Sequence, residues 1–263
     1  MDWRKILLVA SIVSLSISSA IPASDRIVAV ERSHTQQQVQ KLAAAITVKV
    51  LSSEFLGSGI LVRKDGEVYT VLTNAHVLRA SQPPYRIQIS DGRVYAASFP
   101  VKRSHMKSLP QNTDLALLEF RSPSHKYQVA SLGTSSNLNI GHEVFAAGFP
   151  VNGEGFVGKG VSFKVGEISL VLDKALEGGY RIGYTNDVQK GMSGGPLLNS
   201  AGEVVAINGM HAEPLWGNPY VYQDGTEPDN SLRQRMERYS WGIPMEIYKK
   251  GGMNRQDAEN AKK

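Results

Sequence analysis

The run Gln189-Lys190-Gly191-Met192-Ser193-Gly194-Gly195-Pro196-Leu197-Leu198 sets a small, polar, glycine-rich knot directly before an apolar stretch. A serine held between glycines suits a tight turn that exposes its hydroxyl and leaves backbone N–H groups free. Free N–H groups aimed at one point are what acyl transfer needs to hold a developing oxyanion. Taken alone the pattern is only moderately specific, because ordinary hairpin turns are also rich in glycine.

Two upstream stretches sharpen it. Leu72-Thr73-Asn74-Ala75-His76-Val77-Leu78 places a histidine just past an apolar run, and Thr113-Asp114-Leu115-Ala116-Leu117-Leu118 opens another apolar run with an acid. Alone, such a histidine is most often a satisfied core or edge residue, and such an aspartate a turn or strand cap. Together, His76, Asp114 and Ser193 each sit at the mouth of an expected strand. The first two lie in one half of the chain and the third in the other.

The surrounding periodicity is that of strands. Residues 46–50, 59–62, 69–73, 85–89, 94–98 and 115–120 are short apolar or alternating runs, separated by turns such as Lys64-Asp65-Gly66 and Ser90-Asp91-Gly92. A second set covers 144–150, 161–166, 181–185, 196–198 and 204–208, beyond a linker at Ser122-Pro123-Ser124-His125. Many short strands at even spacing in two sets imply two antiparallel barrels or sandwiches. Residues 212–239 interrupt the second set with a Pro-, Gly- and Asn-containing insertion, read as a surface loop in preference to a wall of the cleft and ending in a helix over 232–239, before a short strand at 240–243.

The ends read differently. Residues 1–23 have the form of an export signal, with Arg4 and Lys5, an apolar run from Ile6 to Leu15, and small residues at Ser18-Ser19-Ala20 and Ala23. That run is too short and serine-rich for a membrane span, so no stable membrane anchoring is expected. Residues 24–45 are polar and Gln-rich and read as a helical lead-in outside the core. The expected division is 1–23 signal, 24–45 lead-in, 46–125 first barrel, 126–250 second barrel and 251–263 a frayed polar tail.

Composition excludes several classes. A chain of 263 residues with 41% hydrophobic content can bury a core without staples. It has no cysteine, which rules out disulfides, thiolate catalysis and zinc–thiolate sites. The six histidines form no close metal-ligand pair. The net charge of +5 is spread without basic blocks interleaved with aromatics, which argues against nucleic-acid binding. Export without cysteine points to a bacterial envelope or medium, periplasmic or secreted. The sequence says nothing of oligomeric state.

At this point the chain resembles the trypsin-like, chymotrypsin-fold serine peptidases. It is most similar to their compact bacterial branch, the HtrA-type proteases and glutamyl endopeptidases. Thr73-Asn74-Ala75-His76-Val77, Asp114-Leu115-Ala116-Leu117-Leu118 and Gly191-Met192-Ser193-Gly194-Gly195-Pro196 resemble that family's histidine, aspartate and nucleophile motifs, in the family's order. Phe55-Leu56-Gly57-Ser58-Gly59-Ile60-Leu61 is similar to the strand that precedes the histidine. The likeness covers roughly residues 45–248. It implies an all-β fold of two six-stranded Greek-key barrels with the active site between them. It implies a Ser-His-Asp triad of Ser193, His76 and Asp114, and an oxyanion hole from the N–H groups of Gly191 and Ser193. It implies protein or peptide substrates and no cofactor.

Departures from the family pattern qualify the expectation. Met192 stands where the animal digestive enzymes carry an aspartate that captures a new N-terminus. Arg26-Ile27-Val28-Ala29-Val30, which faintly resembles an activation site, is therefore read as lead-in. The about 70 residues after Ser193 leave no room for the peptide-binding module that HtrA-type proteases carry there. Asp187, six residues before Ser193, lies where the resemblance to trypsin places the buried acidic base of the primary pocket. Asn208, expected with Asp187 to line the substrate site, lies where the glutamyl endopeptidases use a histidine, which argues against Glu specificity. A catalytically silent relative that binds peptides in the cleft is the alternative from another class. An esterase elbow is disfavoured, because the serine precedes a strand and the residue order differs.

Overall fold

A computed structural model describes residues 33–52, 56–80, 82–100, 109–152, 155–156, 160–210 and 218–252. The expected signal at 1–23, the stretch Arg26–Val30 and the tail beyond 252 lie outside these residues.

The first described element corrects an expectation. Helix α1 (Gln36–Ile46) opens on a capping box: the Thr35 hydroxyl accepts from the Gln38 N–H, and the Gln38 side chain accepts from the Thr35 N–H. Its glutamines face solvent. Val39, Ala43 and Ile46, spaced to share one face, are buried in the largest core cluster. The segment is thus part of the core, because three apolar residues among many polar ones suffice when they recur at helical spacing.

Six strands follow: β1 (Thr47–Leu51), β2 (Leu56–Asp65), β3 (Val68–Thr73), β4 (Tyr85–Gln88), β5 (Val94–Ala97) and β6 (Ala116–Arg121). A five-residue helix, α2 (Ala75–Arg79), interrupts them after β3. The sheet order is β5-β4-β1-β2-β3-β6, antiparallel throughout. Its two edges meet where Ser98 and Glu119 exchange both backbone hydrogen bonds, which closes a barrel. Its core is Val48, Val50, Leu61, Tyr69, Val71, Ile87, Leu118 and Phe120.

The second half contributes β7 (Glu143–Gly148), a small hairpin of β8 (Val151–Asn152) and β9 (Gly155–Phe156), β10 (Ser162–Val171), β11 (Ile182–Tyr184), β12 (Pro196–Leu198), β13 (Val204–Met210) and β14 (Ser240–Pro244). Six of these close as β10-β11-β14-β13-β12-β7. Helices α3 (Asn230–Met236) and α4 (Met245–Gly252) flank β14. The result is an all-β fold of two six-stranded antiparallel barrels.

The insertion also differs from its reading as a free surface loop. Its described part, from residue 218, packs back on the second barrel. Tyr220 is buried against Trp241, Tyr222 pairs with Leu176, and the Gln223 N–H donates to the Ala175 carbonyl at 3.0 Å. Two aromatic side chains in an otherwise polar stretch supply the apolar area that fixes it.

Candidate active site

β3 runs apolar into the first barrel and ends at Thr73; the chain then turns through Asn74 into α2, which carries His76 on its first turn. The first N–H groups of any helix lack intrahelical acceptors. Here Asp114 supplies them: its carbonyl accepts from Ala75 N–H at 3.1 Å, and its Oδ1 accepts from His76 N–H at 2.8 Å. The Asn74 amide also donates to the Asp114 carbonyl, at 2.9 Å. Asp114 thus caps the helix that bears the histidine.

The same carboxylate takes the imidazole. Nδ1 of His76 lies 2.5 Å from Oδ2 of Asp114. Tyr180 Oη donates to Oδ2 at 2.6 Å, and Arg79 Nη2 donates to Oδ1 at 3.2 Å. Burial alone would raise the Asp114 carboxyl; hydrogen bonds from His76 and Tyr180 outweigh it and hold the group below the usual carboxylate range. Burial, and then the charge of Asp114, push the Tyr180 phenol well up, so it stays a donor.

The glycine knot is anchored to the first barrel by Ser58 on β2. Ser58 N–H donates to the Ser193 carbonyl at 2.9 Å. Ser58 Oγ donates to the Gly191 carbonyl at 2.7 Å and accepts from Phe149 N–H at 2.8 Å. Thr73 Oγ1 donates to the Ser58 carbonyl at 2.7 Å. Gly191 has φ +90°, and a Cβ there would lie 2.5 Å from the Phe149 carbonyl oxygen, so only glycine fits. Among the described residues, neither the Gly191 nor the Ser193 N–H has a hydrogen-bond partner.

Ser193 Oγ donates to the Gly209 carbonyl at 3.3 Å. His76 and Asp114 are joined directly; among the described residues Ser193 Oγ bonds the Gly209 carbonyl, and no hydrogen bond links it to His76. Asp114 N–H also bonds the Gly178 carbonyl at 2.8 Å, tying the first barrel to the segment that carries Tyr180.

Two expected binding residues are placed otherwise. Asp187 is not a buried pocket base: its side chain is 68% exposed and pairs with Lys164 at 3.1 Å and Gln189 at 2.9 Å. Exposure leaves it in high dielectric with a cation already beside it. Asn208 is fully buried; its Oδ1 accepts from Tyr184 Oη, and its Nδ2 donates to the Ala147 and Pro196 carbonyls. All its bonding capacity toward the barrel is engaged, so it is a strand lock and not a ligand-facing group. Met192 is buried in the apolar cluster with Val144, Ala146 and Leu197.

Tyr180 and Arg79 carry no local sequence signal of their place beside Asp114, and Ser58 is marked only by the Gly-Ser-Gly strand entry. A cavity of about 570 Å³ opens beside Asp114, lined by Arg79, Asn112, Glu177 and Gln223 among others. The insertion, through Gln223, therefore forms a wall of this cavity. Among the described residues, no group of three His, Asp or Glu side chains is placed to hold a metal ion, and no helix is long and apolar enough to cross a membrane.

Two closed six-stranded barrels, with a histidine–carboxylate pair on one and a serine in a glycine turn on the other, define the chymotrypsin-like class. The chain belongs to the trypsin-like peptidase domain family, whose model matches residues 57–207. It is similar to the putative serine protease HhoA of Synechocystis, 33% identical over 155 residues, 58% of this chain and 36% of that protein. It is similar to the mitochondrial serine protease HTRA2 of Drosophila virilis, 33% identical over 202 residues, 73% of this chain and 44% of that protein. The serine protease Do-like HtrA of Bacillus subtilis is 32% identical over 157 residues, 59% and 33% respectively. Each match spans less than half of the relative's own length.

Proposed function

We propose that this chain is an exported serine endopeptidase that hydrolyses peptide bonds through an acyl-enzyme. The observation that carries the reading is the 2.5 Å contact between His76 Nδ1 and the buried carboxylate of Asp114, which leaves Nε2 as the free face of a base. Relatives named serine proteases support it.

On this reading Ser193 Oγ leaves the Gly209 carbonyl, gives its proton to His76 Nε2 and bonds to the substrate carbonyl carbon. The carbonyl oxygen gains the negative charge and accepts from the Gly191 and Ser193 N–H groups. His76 then returns the proton to the leaving amine as the C–N bond breaks. Water repeats the sequence on the acyl-enzyme and restores the serine. Asp114 keeps its charge throughout, orienting His76 and stabilising its protonated form. Export rests on the signal-like residues 1–23, and the bacterial periplasmic or secreted reading rests on that signal together with the absence of cysteine.

The test is labelling of the protein by a fluorophosphonate, beside Ser193→Ala and His76→Ala. Labelling is expected for the parent, absent for Ser193→Ala and strongly slowed for His76→Ala. A folded parent that takes no label would overturn the reading and move the silent peptide-binding alternative forward.

A further inference from the structure

We propose that Tyr180 is a positioning residue: its hydroxyl, reaching from the second barrel, fixes the Asp114 carboxylate in the orientation in which it holds His76. This rests on the peptidase reading above.

Four donors surround that carboxylate. Two belong to His76 itself, its N–H and its ring. Of the others, Arg79 is an exposed arginine at 3.2 Å, free to swing into solvent. Tyr180 donates at 2.6 Å to the same oxygen that meets the imidazole. It is held by its own backbone, since Leu176 N–H bonds the Tyr180 carbonyl at 2.9 Å. A short, buried bond from a neutral donor to a carboxylate is the strong kind. It restrains rotation of the carboxylate, which would otherwise turn Oδ2 away from Nδ1.

Gly209 shows that the chain makes room for this hydroxyl. A Cβ on Gly209 would lie 2.3 Å from Tyr180 Oη and 2.6 Å from its Cε1. The backbone of Gly209 meanwhile accepts from Ser193 Oγ. The phenol therefore sits between the residue that touches the serine and the acid that holds the base.

The experiment compares Tyr180→Phe with Tyr184→Phe in the full chain. Tyr184 is equally buried, but its hydroxyl bonds Asn208 and not Asp114. Loss of one hydrogen bond to a charged group predicts that Tyr180→Phe slows fluorophosphonate labelling of Ser193 about 10- to 100-fold, with Tyr184→Phe near the parent rate. The second readout is the downfield NMR resonance of the His76 Nδ1 proton, identified by its loss in His76→Ala. It should move in Tyr180→Phe and stay in Tyr184→Phe. Should Tyr180→Phe not fold, Gly209→Ala displaces the hydroxyl and should move the His76 Nδ1 resonance, which is the readout there because the Gly209 carbonyl also accepts from Ser193 Oγ. Parent-like labelling with an unmoved resonance in Tyr180→Phe overturns the proposal, as does equal slowing in both Tyr variants. If the parent takes no label, the peptidase reading fails by itself, and the resonance alone decides whether Tyr180 positions Asp114.

Discussion

Asp114 grips His76 twice, through the backbone N–H at 2.8 Å and through the ring at 2.5 Å. One bond sets where the helix starts and the other sets how the imidazole faces. Asp114→Asn should keep the first, through its amide oxygen, and spoil the second by offering a donor to the ring. The expected result is a folded protein with labelling at Ser193 slowed by about 10⁴-fold, read from labelling rates beside melting curves.

Ser58 should prove as necessary to the oxyanion turn as any residue in it. Ser58→Ala removes the donor to the Gly191 carbonyl and the acceptor of Phe149 N–H at once. Leaving the buried Gly191 carbonyl without this donor should cost about 1–3 kcal/mol of stability. Labelling should slow by about tenfold or more, because the Gly191 peptide is free to rotate. Chemical denaturation and labelling rates on one preparation check both parts.

Asp187→Ala should leave cleavage preference unchanged. The carboxylate is exposed and held by Lys164, and such surface pairs contribute about 0.2–1 kcal/mol. Peptides with Lys, Arg, Ala or Val before the scissile bond, cut by parent and variant, provide the comparison. A selective loss for Lys and Arg would restore Asp187 as a specificity residue.

Acid and alkali should each weaken the fold, for opposite reasons. The Asp114 carboxyl is held below its unfolded value, so its contribution is complete above about pH 4 and is lost as pH falls through the folded value. Tyr180 and Tyr184 are raised by burial, so their contribution is complete below about pH 10 and is lost as pH rises through their folded values. Melting temperatures from pH 2 to 11 should fall at both ends. Tyr184→Phe should soften the alkaline fall, and Asp114→Asn the acid one.

The parts of the site that could be read from sequence are those written in local runs. His76 follows one six-residue strand with an apolar run, Asp114 precedes another, and Ser193 lies in a glycine turn just before a short apolar strand. Tyr180 is different: its bond to Asp114 spans 66 residues and depends on two barrels closing together. No local pattern marks it beyond a tyrosine after Gly178-Gly179. For Asp187, spacing from Ser193 fixes its position along the chain and not the direction of its side chain, which turns to solvent. A helix within 24–45 is legible from composition, but the burial of Val39, Ala43 and Ile46 is hidden by the glutamines on the outer face. β10 runs five residues past its expected end, through Ile168 and Leu170, which are its buried positions.

Ser58 has a bearing on timing. It lies on the second strand of the first barrel, yet the turn it secures comes more than 130 residues later. On the proposed reading, a chain emerging from synthesis carries its base and acid early but can do nothing with them. Ser58 is made early and waits; the turn it holds, and the serine in that turn, come only with the second barrel. A nascent protease built this way cannot cut its neighbours, or itself, before it is complete.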